Sequence, residues 1–257
     1  MTESFDAGPA GRLLAAAWKS GMQIAELPAE VRPRTLKQGY DVQDAFITAV
    51  GDPVIGWKLG MGSPNGMRLT GLGRPLAGRV LKSACFQSGD VVKISNAAPI
   101  VIEFEVAFVL ERDVAPGTAP HAPLESVSTT RVTFELLQSR FVDRRAVGWP
   151  SFAADNGVFR ALVVGPVIAQ ESMHTLGTDV VVQVNGRDTA RGLAGDDRTD
   201  AVASLGALFA HAAERGMTLH KGDIISTGAV SQPFELAGSN HVVTMAAGLK
   251  LEVRIEG

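Results

Sequence analysis

Between residue 10 and about residue 27, the apolar residues Leu13, Leu14, Ala17, Trp18 and Met22 recur near the helical period with few breakers among them. This pattern predicts an amphipathic helix ended by Pro28. A second helix is expected where Val42, Phe46 and Val50 repeat every fourth residue, with Asp41 placed to cap it and Gly51-Asp52-Pro53 to stop it. Residues 1–53 therefore read as a mainly helical N-terminal segment.

The period shortens beyond Val54. From there to about Leu110, short extended runs are punctuated by Gly56, Gly60, Gly62, Gly66, Gly71, Gly73, Gly78 and Gly89, a texture of strands and tight loops rather than long helices. Residues 123–139 carry a helical pattern through Leu124, Val127, Leu136 and Leu137. Thr129, Thr130, Val132 and Thr133 are β-branched, however, so the second half reads equally as a strand. Residues 159–168 and 180–184 read as strands, the second followed by the hairpin dipeptide Asn185-Gly186. Val202, Leu205, Leu208, Phe209 and Ala212 define a helix face, with Asp200 as its cap and Gly216 past its end. Residues 224–227 and 242–255 return to strand, and Gly248 marks a hairpin or bulge.

No fixed-period repeat, charge block or flexible linker divides these elements, so residues 1–257 are expected to form one α+β domain, its helical N-terminal portion packed against a strand-rich body. The 24 basic and 27 acidic residues leave a formal charge of -3, which gives no cationic footprint for nucleic acid. Cys85 is the only cysteine, so neither an intrachain disulfide nor a cysteine-rich metal knuckle can form. The first ten residues lack the basic and apolar regions of a secretion signal, and Glu103 and Glu105 interrupt the greasiest run, Ile100–Leu110. A cytoplasmic protein without a membrane partner is expected.

That same run holds the first chemistry. On a strand, Glu103 and Glu105 share one face while Ile102, Phe104, Val106, Phe108 and Leu110 share the other. Same-face neighbours lie about 6.5 to 7 Å apart, within reach of one oxygen-loving cation. Without a cation, the two acids either face water or one of them takes a raised pKa. Glu135, set among Phe134, Leu136 and Leu137, is either a third ligand for magnesium or manganese or a helix-surface acid.

Other side chains have matching electrostatic tasks. Lys58, between Trp57 and Leu59, is either a strand lysine that snorkels to water or a cation near a substrate carboxylate, with a pKa that an apolar setting would lower toward proton transfer. Arg68 and Arg74 lie in a glycine-rich stretch suited to anion contact or simply to solubility. Asp155-Asn156 before Gly157 fits either a turn or the holding of a catalytic water, and Thr227-Gly228 fits either a strand-ending turn or a hydroxyl and N–H groups offered to a substrate carboxylate. His121, His174, His211, His220 and His241 are scattered and supply no sequence-local catalytic pair.

Taken in order, Gly56-Trp57-Lys58-Leu59-Gly60, Glu103-Phe104-Glu105 with the following Ala107-Phe108-Val109-Leu110, Glu135, Asp155-Asn156 and Thr227-Gly228-Ala229 resemble one family. It is the 2-keto-4-pentenoate hydratase and 2-oxo-hepta-3-ene-1,7-dioate hydratase branch of the fumarylacetoacetate hydrolase superfamily. The resemblance spans most of the chain. It implies the superfamily's mixed β-roll, a homo-oligomer, and Glu103, Glu105 and Glu135 as ligands of Mg2+ or Mn2+. It also implies Lys58 as the active-site lysine and Thr227 as a substrate-contacting hydroxyl; Asp155 and Asn156 are expected to join Lys58 as catalytic residues, and Arg68 and Gly228, on their own chemistry, to join Thr227 in contacting the substrate.

The substrate so implied is a small 2-hydroxy-2,4-dienoate or its 2-oxo tautomer, hydrated to a 4-hydroxy-2-oxo acid in aromatic hydrocarbon catabolism. Decarboxylation of an oxalocrotonate-like diacid, hydrolysis of an acylpyruvate and a noncatalytic metal-stabilised scaffold are the alternatives. Two segments depart from the family pattern. Gly195-Asp196-Asp197-Arg198-Thr199-Asp200 stands where the family carries Gly-His/Asn-Pro-Leu-Asn, and Ala237-Gly238-Ser239-Asn240 replaces a Gly-Asp turn.

Overall fold

The computed structural model describes residues 5–94, 98–176 and 180–257; residues 1–4 of the expected N-terminal segment lie outside them. Helix α1 (Gly8–Ser20) is shorter than its hydrophobic pattern suggests. Gly21 takes a left-handed conformation at φ 70° and its N–H closes on the Ala17 carbonyl, which ends the helix about two turns before Pro28. Met22 falls outside and is 70% exposed. Helix α2 (Leu36–Val50) starts earlier than expected, because Thr35 caps it and accepts a hydrogen bond from the Gln38 N–H. Asp41 sits inside α2 instead and pairs with Lys37 and Arg215. Leu14, Phe46, Leu27, Phe141 and Ala154 form an apolar cluster of their own that holds these helices to the body.

The body is built from two sheets. The larger contains β1 (Val54–Gly60), β2 (Leu76–Leu81), β3 (Cys85–Gln87), β5 (Ile100–Leu110), β6 (Val127–Leu137), β7 (Phe159–Ile168), β10 (Ile224–Ala229) and β11 (Phe234–Leu236). Its strand order is β2-β1-β10-β5-β6-β7-β3, with β11 pairing β5. The smaller contains β4 (Val91–Lys93), β8 (Val181–Val184), β9 (Arg187–Arg191), β12 (Asn240–Ala246) and β13 (Leu249–Glu256), in the order β4-β13-β12-β8-β9. The Asn185-Gly186 hairpin joins β8 to β9, and Ala247-Gly248 turns β12 into β13.

Two sequence readings change. Residues 123–126 make a single helical turn, after which the β-branched stretch runs on as β6, buried at nearly every position of its second half. A short helix, α3 (Pro64–Thr70), occupies part of the region read as strands and loops only. Ser63 caps it by accepting from the Gly66 N–H, and Pro64 supplies the first helical position. The remaining helices are α4 (Gly148–Ala154) and α5 (Ala201–Glu214), and the side chain of Asp200 caps α5 by accepting from the N–H groups of Val202 and Ala203.

Alternation on β5 sorts the two faces. Ile102, Phe104, Val106, Phe108 and Leu110 enter the main core with Phe134, Leu136 and Ile225. Helix α5 covers part of that core, where His211 packs on Tyr40 with ring centroids 4.5 Å apart and on Trp57 at 6.2 Å. The opposite face carries the acids. Among the described residues, no helix is long and apolar enough to cross a membrane.

Candidate active site

Strand register gathers the acidic face. Glu103 on β5 is the direct partner of Glu135 on β6, so their side chains leave the sheet on the same side, with Glu105 one same-face step along. Across β10, Ser226 pairs with Ala107 on one flank and with Lys58 on the other, which brings the lysine of β1 to this face. One carboxylate oxygen from each of Glu103, Glu105 and Glu135 lies within 4.8 Å of the others. The water-facing alternative for these acids does not hold, since Glu105 and Glu135 are fully buried and Glu103 is only partly exposed.

Lys58 is 2% exposed. Its Nζ lies 3.2 Å from Glu135 Oε1 and donates a 3.0 Å hydrogen bond to the Gly157 carbonyl. Room for it depends on Gly78, its partner on β2, because a Cβ there would stand 2.9 Å from Lys58 Cδ and 2.6 Å from the Asn156 carbonyl oxygen. The expected apolar setting is corrected by this geometry. Burial alone would lower the Lys58 pKa, but Glu135, Glu103 and Glu105 together hold it above its ordinary value.

The carboxyls themselves are pushed up, Glu103 and Glu105 to about 8 and Glu135 to about 7. Desolvation is the main cause in each case. Coulombic repulsion among the three acids adds to it, and Lys58 offsets it in part. Oε2 of Glu135 and Oε1 of Glu105 are buried without a hydrogen-bond partner, while Oε1 of Glu135 faces the Lys58 ammonium. Once ionised, three converging carboxylates against one ammonium carry two excess negative charges, and their unpartnered oxygens supply hard donor atoms, so this set fits a divalent cation such as Mg2+ or Mn2+.

Glu105 is the most tightly held of the three. Its Oε2 accepts from Ser226 Oγ at 2.6 Å and from the Gly228 N–H at 2.9 Å, while Thr133 Oγ1 lies 2.8 Å from Ser226 Oγ. The register between β10 and β5 shifts between Ser226 and Ala229, and this irregularity re-aims the Gly228 N–H toward the carboxylate. Ser226 and Thr133 escaped the sequence reading. Their signal was a hydroxyl inside a buried strand, with Thr133 two positions, hence one same-face step, before Glu135.

Other expected site residues are occupied elsewhere. The Thr227 hydroxyl donates to the Val106 carbonyl at 2.8 Å, inside the ladder irregularity, and Gly228 serves Glu105. Asp155 is committed to Arg140, accepting from its guanidinium and from its backbone N–H at 3.1 Å, and accepts also from Ser139 Oγ at 2.8 Å. Asn156 clamps the backbone of β2, its Oδ1 accepting from the Arg79 N–H at 2.6 Å and its Nδ2 donating to the Arg79 carbonyl at 2.8 Å. Asp155 and Asn156 thus fix the turn that delivers the Gly157 carbonyl to Lys58. Asn156, Gly157 and Val158 all have positive φ, between 54° and 59°, which is costly for the β-branched valine.

Arg68 lies on α3 rather than in a loop, and its guanidinium is exposed and paired with Asp196 at 2.6 Å. Asn65 donates to the neighbouring Asp197, so the segment that departs from the family pattern is anchored to α3. Arg74 pairs with Glu214 near a separate cleft of about 860 Å3 lined in part by Tyr40, His211 and Arg215.

The chain is 27% identical over 222 residues to a 4-oxalocrotonate decarboxylase of Pseudomonas sp. (strain CF600), covering 84% of this chain and 83% of that protein. It is 26% identical over 183 residues to a 2-keto-4-pentenoate hydratase of Burkholderia vietnamiensis (strain G4 / LMG 22486), covering 70% and 69%. The solved structure of 4-oxalocrotonate decarboxylase from Pseudomonas putida G7, complexed with magnesium and adipate, superposes with a TM-score of 0.85 at 21% identity over 97% of each chain, which establishes a shared fold of mixed helices and curled sheets. Residues 60–257 match the fumarylacetoacetate (FAA) hydrolase C-terminal family, and the chain belongs to that family.

Proposed function

We propose that the chain is a divalent-metal-dependent lyase of small 2-hydroxy-2,4-dienoates and their 2-oxo tautomers, with residues 1–257 working as one catalytic domain. Within that class we read it as a hydratase that yields a 4-hydroxy-2-oxo acid. The observation carrying this reading is the convergence of Glu103, Glu105, Glu135 and Lys58 from three strands at one buried point, with carboxylate oxygens left unpartnered.

Glu103, Glu105 and Glu135 would hold Mg2+ or Mn2+, which supplies Lewis-acid stabilisation of the enolate-like charge of a 2-oxo acid. Ser226 and Gly228 keep Glu105 in one orientation. Lys58 carries the proton chemistry. Its ammonium is stabilised by three carboxylates, so neutralising their charge leaves desolvation as the dominant influence and brings Nζ toward a proton affinity suited to exchange with substrate or water. The Gly157 carbonyl fixes the direction in which that proton is offered.

A decarboxylase is the second reading. It is favoured by the decarboxylase relative that covers 84% of the chain, and the same site would stabilise the enolate left when carbon dioxide departs. Incubation with a 2-hydroxypentadienoate, an oxalocrotonate and an acylpyruvate, with Mg2+ or Mn2+ and product mass as the readout, separates the reactions by gain of water, loss of carbon dioxide or carbon-carbon cleavage. Gain of water is expected. Absence of any metal-dependent product across the panel would overturn the enzymatic reading.

A further inference from the structure

The cleft of about 860 Å3 opens between α2, the C-terminal end of α5 and the residues that lead into β2. It lies apart from the carboxylate cluster. His211 lines it and packs on Trp57, whose side chain leaves β1 on the face opposite Lys58. Leu36, Leu72 and Pro75 supply an apolar wall, the two leucines being only partly buried. Lys37, Arg74 and Arg215 line the cleft against the carboxylates of Asp41 and Glu214, an excess of one positive charge that favours an anion. The volume suits a small organic molecule.

The donors of this cleft are incompletely used. Arg74 bonds Glu214 through Nη2, and Arg215 bonds both Asp41 and Asp44 through Nη2, so among the described residues Nε and Nη1 of each guanidinium make no hydrogen bond. Each planar guanidinium thus keeps most of its N–H donors to offer. His211 Nε2 is also without a partner, although the residue is only 3% exposed. Glu214 and Arg215 follow His211 by three and four positions at the end of α5, which stacks all three on one side of the helix. Burial, then the charges of Arg79, Arg74 and Arg215, keep the His211 ring neutral, so it carries a single N–H.

We infer that this cleft is a second binding site, which takes a small organic carboxylate with an apolar body and works independently of the carboxylate cluster. The ligand's carboxylate accepts from the unused donors of Arg74 and Arg215 and, in the Nε2–H tautomer, from His211. Its apolar body lies against Leu36, Leu72 and Pro75. Glu214 is the group that yields, because its side chain is 58% exposed and a solvent-screened ion pair holds its partners weakly. An inorganic anion would leave the leucines wet, and a neutral ring would leave the guanidinium donors unanswered. The assignment stands whether or not the carboxylate cluster supports turnover.

Calorimetric titration with benzoate, benzamide and inorganic phosphate tests the assignment, because benzamide keeps the ring without the charge and phosphate keeps the charge without the ring. Benzoate should saturate the wild-type protein with a Kd below about 1 mM, at least tenfold tighter than either control. Its affinity should be the same with and without Mg2+, which separates this cleft from the carboxylate cluster. Arg74→Gln alters only an exposed ion pair and should weaken benzoate about tenfold. Glu214→Gln, which removes the internal competitor, should strengthen it. His211→Phe, which keeps a ring against Tyr40 and Trp57 but removes the Nε2 donor, should weaken it. No saturation by about 1 mM, benzamide or phosphate binding as tightly as benzoate, an affinity that depends on Mg2+, or an Arg74→Gln variant that binds benzoate as wild type does overturns the inference.

Discussion

Ser226 donates a 2.6 Å hydrogen bond to Oε2 of Glu105, and this bond selects which oxygen of the carboxylate stays free. With the Gly228 N–H on the same atom, Oε2 is doubly engaged and Oε1 is left as the available donor. Ser226→Ala should therefore weaken Mn2+ binding about ten- to a hundredfold while leaving the fold intact. A direct Mn2+ titration checks this. Unchanged affinity would show that the Gly228 N–H suffices to orient the carboxylate.

Removing the cation from the cluster has a split effect. Lys58→Met leaves three acids without their ammonium, so the metal-free protein should be less stable, while Mn2+ affinity should hold or rise. Product formation should fall at least about a hundredfold. Melting temperatures with and without Mn2+, alongside turnover, separate these outcomes; a variant losing metal and activity together would place Lys58 in support of the ligands.

The raised carboxyl pKa values set a pH dependence for the metal-free protein. Unfolded, these groups titrate near their ordinary value of 4.5; folded, Glu103 and Glu105 titrate near 8 and Glu135 near 7. Between those limits the folded state binds more protons, so stability falls as pH rises from about 4.5 to about 8 and levels off beyond. A bound divalent cation expels those protons, and its affinity should climb with pH over the same window. Calorimetric heats in buffers of different ionisation enthalpy count the protons released.

His211 gives the opposite slope. Burial, reinforced by Arg79, Arg74 and Arg215, pushes its pKa down from 6.5 to about 3, so the folded protein keeps it neutral where the unfolded chain would charge it. Its contribution is complete above pH 6.5 and is lost as pH falls toward 3. His211→Phe should flatten the acid limb of a stability profile measured by denaturant unfolding. An unchanged acid limb would mean that water reaches the ring.

Asp155→Asn tests a position where sequence suggested catalysis and the structure shows a buried ion pair. Leaving Arg140 uncompensated should cost about 3–5 kcal/mol, read from urea unfolding. Activity of the remaining folded protein should fall modestly, as the turn that presents the Gly157 carbonyl to Lys58 loosens. A stable Asp155→Asn protein without turnover would instead assign Asp155 to the chemistry.

Much of the site's geometry follows from periodicity that one strand can display. Glu103 and Glu105 alternate with Ile102, Phe104 and Val106, and the structure sorts them onto opposite faces as alternation requires. The placement of Glu135 opposite Glu103 depends on pairing between distant strands, for which a single strand carries no register. Lys58 was harder still. Its sequence neighbours are apolar, but the residues that set its charge state arrive across β10 from other strands.

The loop residues are ambiguous for a different reason. Asp155, Asn156 and Thr227 are polar groups beside glycines, and such groups look alike in sequence whether they hold a substrate or satisfy buried backbone. Helix α3 is too short for its hydrophobic period to register, although Ser63-Pro64 carries the cap chemistry that starts it.

The strand order has a consequence for the growing chain. β5 and β6 are adjacent both in sequence and in the sheet, whereas β10, which lies between β1 and β5, is made much later. A nascent polypeptide can thus bring Glu103 and Glu135 together while Glu105 still lacks both of its donors and Lys58 has no strand linking it to the acids. Closing that gap joins strands far apart in sequence and costs more loop-closure entropy than pairing β5 with β6. The complete set of groups around the proposed cation site, Glu105 with both of its donors and Lys58 beside Glu135, is therefore available only to a chain whose synthesis has passed β10.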